Sequence, residues 1–209
     1  MNKLRLSGIV LITSVIVMAL GSFILTPPRL YQERDIDLRM QIVEDYQAQF
    51  AITQVVTVIG VTGMAVGYLL LTLHLQGGET AGLANFGAVA MVLGTISAAI
   101  YMLQGISDPR AYLDVAARES TGLLIYLEGY AWLTIAGYLL YGIVFLRGDF
   151  PRWLAYTTLG ITTLVLVVVL FIEIFAVELL FLMPLVVGIA LLRRSKANEK
   201  TLTAQKVTT

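Results

Sequence analysis

Long apolar runs separated by short charged intervals dominate the chain. Gly8 to Thr26 is the first run, closed by Pro27 and Pro28. Ala51 to Leu73 is the second, and Leu83 to Leu103 the third, ahead of Gly105, Asp108 and Pro109. Gly122 to Leu146 is the fourth, closed by Arg147-Gly148-Asp149-Phe150-Pro151. Each approaches the roughly 20 apolar residues that a helix needs to cross about 30 Å of hydrocarbon. Trp153 to Leu192 then carries only two charges, Glu173 and Glu178. One helix over that stretch would extend about 60 Å. That predicts spans at 153–171 and 175–192, turning near Glu173; a single tilted span, which would leave the Arg193-Arg194-Ser195-Lys196 tail on the other side, is the alternative. The pattern predicts an all-α fold: a polytopic integral membrane helix bundle of six transmembrane helices. Residues 1–196 form the single bundle, and 197–209 a polar cytoplasmic tail without fixed structure.

The polar intervals have a period of their own. Ile36, Met40, Val43, Ala48 and Phe50 recur among charges at roughly helical spacing. This predicts an amphipathic helix from about Arg34 to Phe50, lying at the outer interface or lengthening the second span. A solvated loop is the alternative. Pro109 to Thr121 is similar: Pro109 suits a first helical turn, and Arg110 and Asp114 stand four apart.

Composition agrees with a bilayer solvent. The chain is 58% hydrophobic and 13% charged, with mean hydropathy +0.83. Soluble domains average about 45–50% apolar and about 25% charged. Net charge is zero, so nothing in it points to nucleic acid. Its distribution is more informative. With six spans and a cytoplasmic N-terminus, Lys3, Arg5, Arg147, Arg152, Arg193, Arg194, Lys196, Lys200 and Lys206 lie inside. Arg29, Arg34, Arg39, Arg110 and Arg118 lie outside, interleaved with acids. The excess of inside cations places both termini in the cytoplasm. A cleaved signal peptide ending near Ala19-Leu20-Gly21 is the alternative for the first run, but Phe23-Ile24-Leu25 continues the apolar stretch past that point.

Small residues mark the helix contacts. The second span holds Gly60, Gly63 and Gly67, with Gly63 to Gly67 a literal GxxxG; the third holds Gly87, Ala90, Gly94, Ser97 and Ala98. Such residues let backbones approach closely. They predict packing of the second span on the third, with a homodimer face as the alternative. Pro184, inside the last span, predicts a kink. Trp153 and Tyr156 beside Arg152 read as interfacial anchors, Tyr138 and Tyr141 as further belt aromatics, and Trp132 as core.

Candidate chemistry is sparse. There is no cysteine and one histidine, His74. That excludes disulfides, thiolate catalysis, iron–sulfur clusters and multi-histidine metal centres. No nucleotide, zinc-protease or nucleophile-elbow motif is present. No cofactor and no metal is expected, and His74 reads as an interfacial residue. Acids within a membrane are functional candidates by default. Glu128 lies about two turns inside the outer end of the fourth span, and Glu173 and Glu178 flank the outer turn between the last two spans. Tyr130, Tyr101 and Gln104 come to the same side. These residues predict an outward-facing polar vestibule for a small or amphipathic ligand, with Arg110 or Arg118 as counter-ion. The structural alternative is a protonated or paired Glu128 with interfacial Glu173 and Glu178. Two functions follow: a non-enzymatic ligand-binding or accessory membrane subunit, or an intramembrane lipid-modifying enzyme with Glu128 as acid/base. The expected partners are the lipid bilayer, a small amphipathic ligand, and a second copy of the chain or another membrane protein.

The segment Gly137-Tyr138-Leu139-Leu140-Tyr141 through Phe150-Pro151-Arg152-Trp153-Leu154 resembles a family of bacterial and archaeal six-helix membrane proteins known only as a domain of unknown function. Chain length, the polar segment after span one and the basic C-terminal end agree. The resemblance implies six spans and a prokaryotic cytoplasmic membrane, and brings no activity or site residues. The Glu128 region departs from the pattern.

Overall fold

The computed structural model describes residues 2–30, 32–116, 121–172 and 180–207. Eight α-helices are drawn among them and no strand: α1 (Lys3–Ala19), α2 (Ile36–Asp45), α3 (Gln47–Leu75), α4 (Ala81–Ser107), α5 (Pro109–Ala116), α6 (Thr121–Arg147), α7 (Arg152–Ile172) and α8 (Leu182–Val207). Among the described residues five segments are long and apolar enough to cross a membrane: Lys3–Ile24, Gln47–Leu75, Ala81–Ser107, Gly122–Arg147 and Arg152–Leu170. The first joins α1 to a π-helical turn, Leu20–Ile24. The expected turn near Glu173 and the start of the sixth span lie outside the described residues. α8 runs to Val207, past the point where polar composition predicts loss of structure; no Gly or Pro interrupts 189–207.

α3 packs on α4 as the sequence suggests, but the small residues of the two helices set crossings with other partners. Gly60, Gly63 and Gly67 face α1, not α4. A Cβ at Gly60 would lie 2.7 Å from the Met18 backbone, and one at Gly67 would lie 2.5 Å from the Leu11 side chain. Gly63 faces Ser14, and the Ser7 hydroxyl donates to the Gly67 carbonyl at 2.8 Å. The GxxxG face is therefore covered within the chain, which removes it as a dimer face. The small residues of α4 meet α6 instead: Gly87 against Tyr141 and Leu140, Gly94 against Thr134 and Leu133. A third close crossing joins α1 to α8, where Gly8 and Gly188 each stand 2.9 Å, measured from an added Cβ, from the other's carbonyl oxygen. With α3 on α4 and α7 on α6, neighbours in sequence are neighbours in space, and α8 returns to α1.

Three further expectations are corrected. Trp132 is 42% exposed, while Tyr138 and Tyr141 are buried in the core at 3% and 0%. Trp132 stands two residues from both Tyr130 and Thr134, so a helix turns it away from the buried stripe they share. Hydrocarbon accepts the indole outside as readily as the core would. Pro184 produces no interior kink: it occupies the first turn of α8, where a backbone N–H has no intrahelical acceptor to lose. Trp153 and Tyr156 are exposed, as anchors would be.

The polar segments form a cap over one end. The Asp35 carboxylate caps α2, accepting from the Asp37 and Leu38 N–H groups at 2.9 and 3.1 Å. α2 stops at Tyr46, and α3 starts at once. The amphipathic expectation thus divides: Ile36–Asp45 is a separate helix, and the rest lengthens the span. Val43 and Phe50 pack with Leu30 and Leu113. Arg110 pairs with Asp37 of α2 at 3.3 Å, rather than with Asp114. The other end gathers Lys3, Arg5, Arg147, Arg152, Arg193, Arg194 and Lys196 against Glu79 and Asp149; we refer to it as the basic end. The flanks expose Phe23, Ile59, Phe86 and Ile125, each more than half exposed, a surface that suits hydrocarbon rather than water.

Gly60→Val places a branched side chain against the α1 backbone. It should lower stability by about 1–3 kcal/mol or more, read as a fall in unfolding temperature in detergent. Gly82→Ala meets no atom within 4 Å and should leave that temperature unchanged or slightly raised. Equal effects from both would contradict the crossing described here.

Candidate functional site: a groove and a recess at the basic end

Of the predicted vestibule residues the structure describes Tyr101, Gln104, Glu128 and Tyr130. Tyr101 is buried and stacks on Tyr112 with ring centroids 4.8 Å apart; it packs with Leu123 and neighbours at the start of α6. Gln104, three residues on, is exposed. Tyr130 is buried in the core. Glu128 is half-buried, two residues and so about 200° around the helix from Tyr130. Arg118, Glu173 and Glu178 lie outside the described residues. α4 and α6 do bring Tyr101 to the start of α6, but through an apolar cluster.

Two cavities at the other end have the character of a site. An apolar groove of about 380 Å³ runs between α3 and α4, lined by Leu69, Leu73, Val89 and Leu93, with Thr72 and Asn85 as its polar points. From Leu69 to Gln76 the helix advances about 10 Å. A polar recess of about 350 Å³ lies at the end of the bundle, bounded by His74, Glu79, Thr80, Arg147, Asp149 and Arg194. Gln76 lines both. Each volume falls within the range of about 300–1,000 Å³ typical of small-molecule sites.

Local chemistry builds the recess. Gly77, at φ +91°, supplies the left-handed backbone that turns α3 into α4. The turn is closed by the Ala81 N–H to the Gly78 carbonyl at 3.0 Å. Across from it, the α6–α7 turn presents Asp149 and Phe150. Arg194 of α8 reaches that turn: its Nη1 donates to the Asp149 carbonyl, and its guanidinium lies over the Phe150 ring at 4.5 Å from the centroid. Phe150 is itself braced edge-on by Phe145 at 4.9 Å. Lys3 of α1 and Arg194 both act electrostatically on His74, so four helices contribute to one charged patch. Among the described residues the charges of the recess form no ion pair with one another; the pair at Arg110 and Asp37 is at the cap end.

The floor of the groove is tied to the core by hydroxyls. The Thr72 hydroxyl lies 2.7 Å from that of Tyr141 and donates to the Ala84 carbonyl at 3.3 Å. The Tyr141 hydroxyl also reaches the Tyr68 carbonyl at 3.1 Å. This network joins α3, α4 and α6. Tyr68 packs against Tyr141 at 4.6 Å and Tyr138 at 5.7 Å; its own hydroxyl is buried and stands beside that of Tyr138 without a close hydrogen bond. Sequence reasoning missed this network. Its signal was the spacing of Tyr130, Thr134, Tyr138 and Tyr141, which keeps all four on one face of α6. The recess residues were read only as topology markers, because they flank turns.

No protein-family model, curated protein or solved structure matches this chain.

Tyr141→Phe removes a hydroxyl that serves both Thr72 and the Tyr68 carbonyl. It should lower stability by about 1–3 kcal/mol. Tyr68→Phe removes a hydroxyl whose polar neighbour is that of Tyr138 and should cost less than Tyr141→Phe. Thermal unfolding of the two variants side by side checks the sign of the difference.

Proposed function

We propose that the protein is a six-span protein of the prokaryotic cytoplasmic membrane, with both termini inside, that binds a phosphate-bearing lipid of the inner leaflet without chemically altering it. The acyl chain lies in the α3–α4 groove, and the phosphate sits in the recess between Arg147 and Arg194. One observation carries this reading: Gln76 lines both the apolar groove and the charged recess, so one amphiphile can occupy the two together. The groove opens on the apolar flank of the bundle, where a bilayer supplies chains. The recess opens at the basic end, which the positive-inside rule turns to the cytoplasm. Juxtamembrane cations there attract anionic headgroups.

Binding is favoured over turnover by the position of the acids. Glu128, the acid/base of the enzyme alternative, belongs to the half of α6 next to the cap, whereas the recess begins at Arg147 on the last turn of α6. Glu128 lines neither the groove nor the recess. The small or amphipathic ligand expected from the sequence is thereby reassigned from the outer side to the inner.

Purified protein should carry phospholipid through gel filtration, and native mass spectrometry should show it as a discrete adduct. Arg147→Gln with Arg194→Gln should reduce adduct occupancy about tenfold, the value of one charge-assisted contact of about 1.5 kcal/mol. Inorganic phosphate should not displace the lipid, because it lacks the chain that fills the groove. Unchanged occupancy, or an equal loss with Arg110→Gln at the cap, would sink the proposal. Reporter fusions at the two termini should both read as cytoplasmic.

A further inference from the structure

The recess is not simply basic. Arg147 and Arg194 supply two permanent positive charges, and Glu79 and Asp149 two carboxylates, around one volume of about 350 Å³. Opposite charges so placed would ordinarily neutralise one another. Here no ion pair forms between them among the described residues, and the Arg194 guanidinium is held instead by the Asp149 carbonyl and the Phe150 ring. That tether fixes one cation without using either carboxylate. Glu79, on the α3–α4 turn, and Asp149, on the α6–α7 turn, remain exposed and able to accept hydrogen bonds. Buried Thr80 adds a hydroxyl at the same turn. A purely anionic headgroup would meet two repelling carboxylates. A headgroup carrying both a phosphate and a protonated amine would satisfy both signs at once and avoid the juxtaposition of like charges.

Resting on the lipid-binding reading, we infer that the recess selects zwitterionic phospholipids whose headgroup joins a phosphate diester to a primary ammonium. The phosphate oxygens accept from the Arg147 guanidinium and the free N–H groups of Arg194. The ammonium donates to the Glu79 and Asp149 carboxylates. A primary ammonium has three N–H donors. A quaternary ammonium has none and a glycerol headgroup has no cation, so both lose that half of the site.

The test is lipid competition on the full chain in detergent, read by native mass spectrometry with acyl chains matched. The probes are phosphatidylethanolamine, phosphatidylcholine and phosphatidylglycerol. Wild type should retain phosphatidylethanolamine at least about threefold over each of the others. Glu79→Gln with Asp149→Asn should bring the three to parity or favour phosphatidylglycerol; Asp149→Asn keeps the backbone carbonyl that holds Arg194. Equal or greater retention of phosphatidylglycerol by wild type would overturn the ammonium assignment while leaving lipid binding intact. Retention of none of the three would instead overturn the lipid reading beneath it. Should the double variant fail to fold, the wild-type order among the three lipids decides the matter alone.

Discussion

The close crossing of α1 on α3 is the contact from which the rest of the bundle follows. Between apolar helices in hydrocarbon there is little hydrophobic force, so association depends on how near the backbones can come. Gly60, Gly63 and Gly67 give α3 a face without side chains, and α1 lies along it at van der Waals distance. The opposite side of α1 repeats the device with Gly8, which meets Gly188 of α8. α1 is thus gripped from two sides by glycine contacts. That fixes where Lys3, His74 and Arg194 stand relative to one another, and so where the charged recess opens.

The groove is what these crossings leave over. The small residues of α3 face α1, and those of α4 face α6. The seam between α3 and α4 is lined at one end by Leu69, Leu73, Val89 and Leu93, whose bulk keeps the two backbones from closing. The Thr72 hydroxyl bonds to the Ala84 carbonyl at the floor, so the seam is held at a fixed width instead of splaying. An apolar cleft of set width, ending in a charged pocket, follows from placing glycine on two faces and leucine and valine on a third.

Much of the helix layout was legible in the sequence, because the hydrocarbon requirement acts on every residue of a span. The polar α2 was legible too, since Ile36, Met40 and Val43 contrast with the charges around them. Which face of each span points inward was not. In water, apolar residues mark the core; in a bilayer both sides of the helix are apolar and the contrast disappears. Trp132 went outward against a core reading, and Tyr138 inward against a belt reading, for this reason. The surviving inward markers are glycine, serine, threonine and tyrosine, and even these name a buried face without naming its partner. The GxxxG of α3 fits α1 and α4 equally well on paper. Its assignment depends on the three-dimensional order of the helices.

The same physics explains why the candidate site moved from Glu128 to the basic end. A carboxylate at membrane depth is conspicuous in a sequence because it is expensive there, and that expense draws attention whether or not the group is used. Charges beside a turn look ordinary because water and headgroups solvate them. Yet recognition of a headgroup needs several charges that are cheap to maintain, fixed in geometry and open to the interface. Arg194 meets those conditions: it is anchored by a carbonyl and an aromatic face at its own end of the bundle. Glu128 is half-buried on a face that Tyr130 does not share. The informative feature is therefore the meeting of separate turns, α3–α4 and α6–α7, under the end of α8. A linear pattern of residues cannot display that meeting, because the contributors are spread over more than a hundred positions.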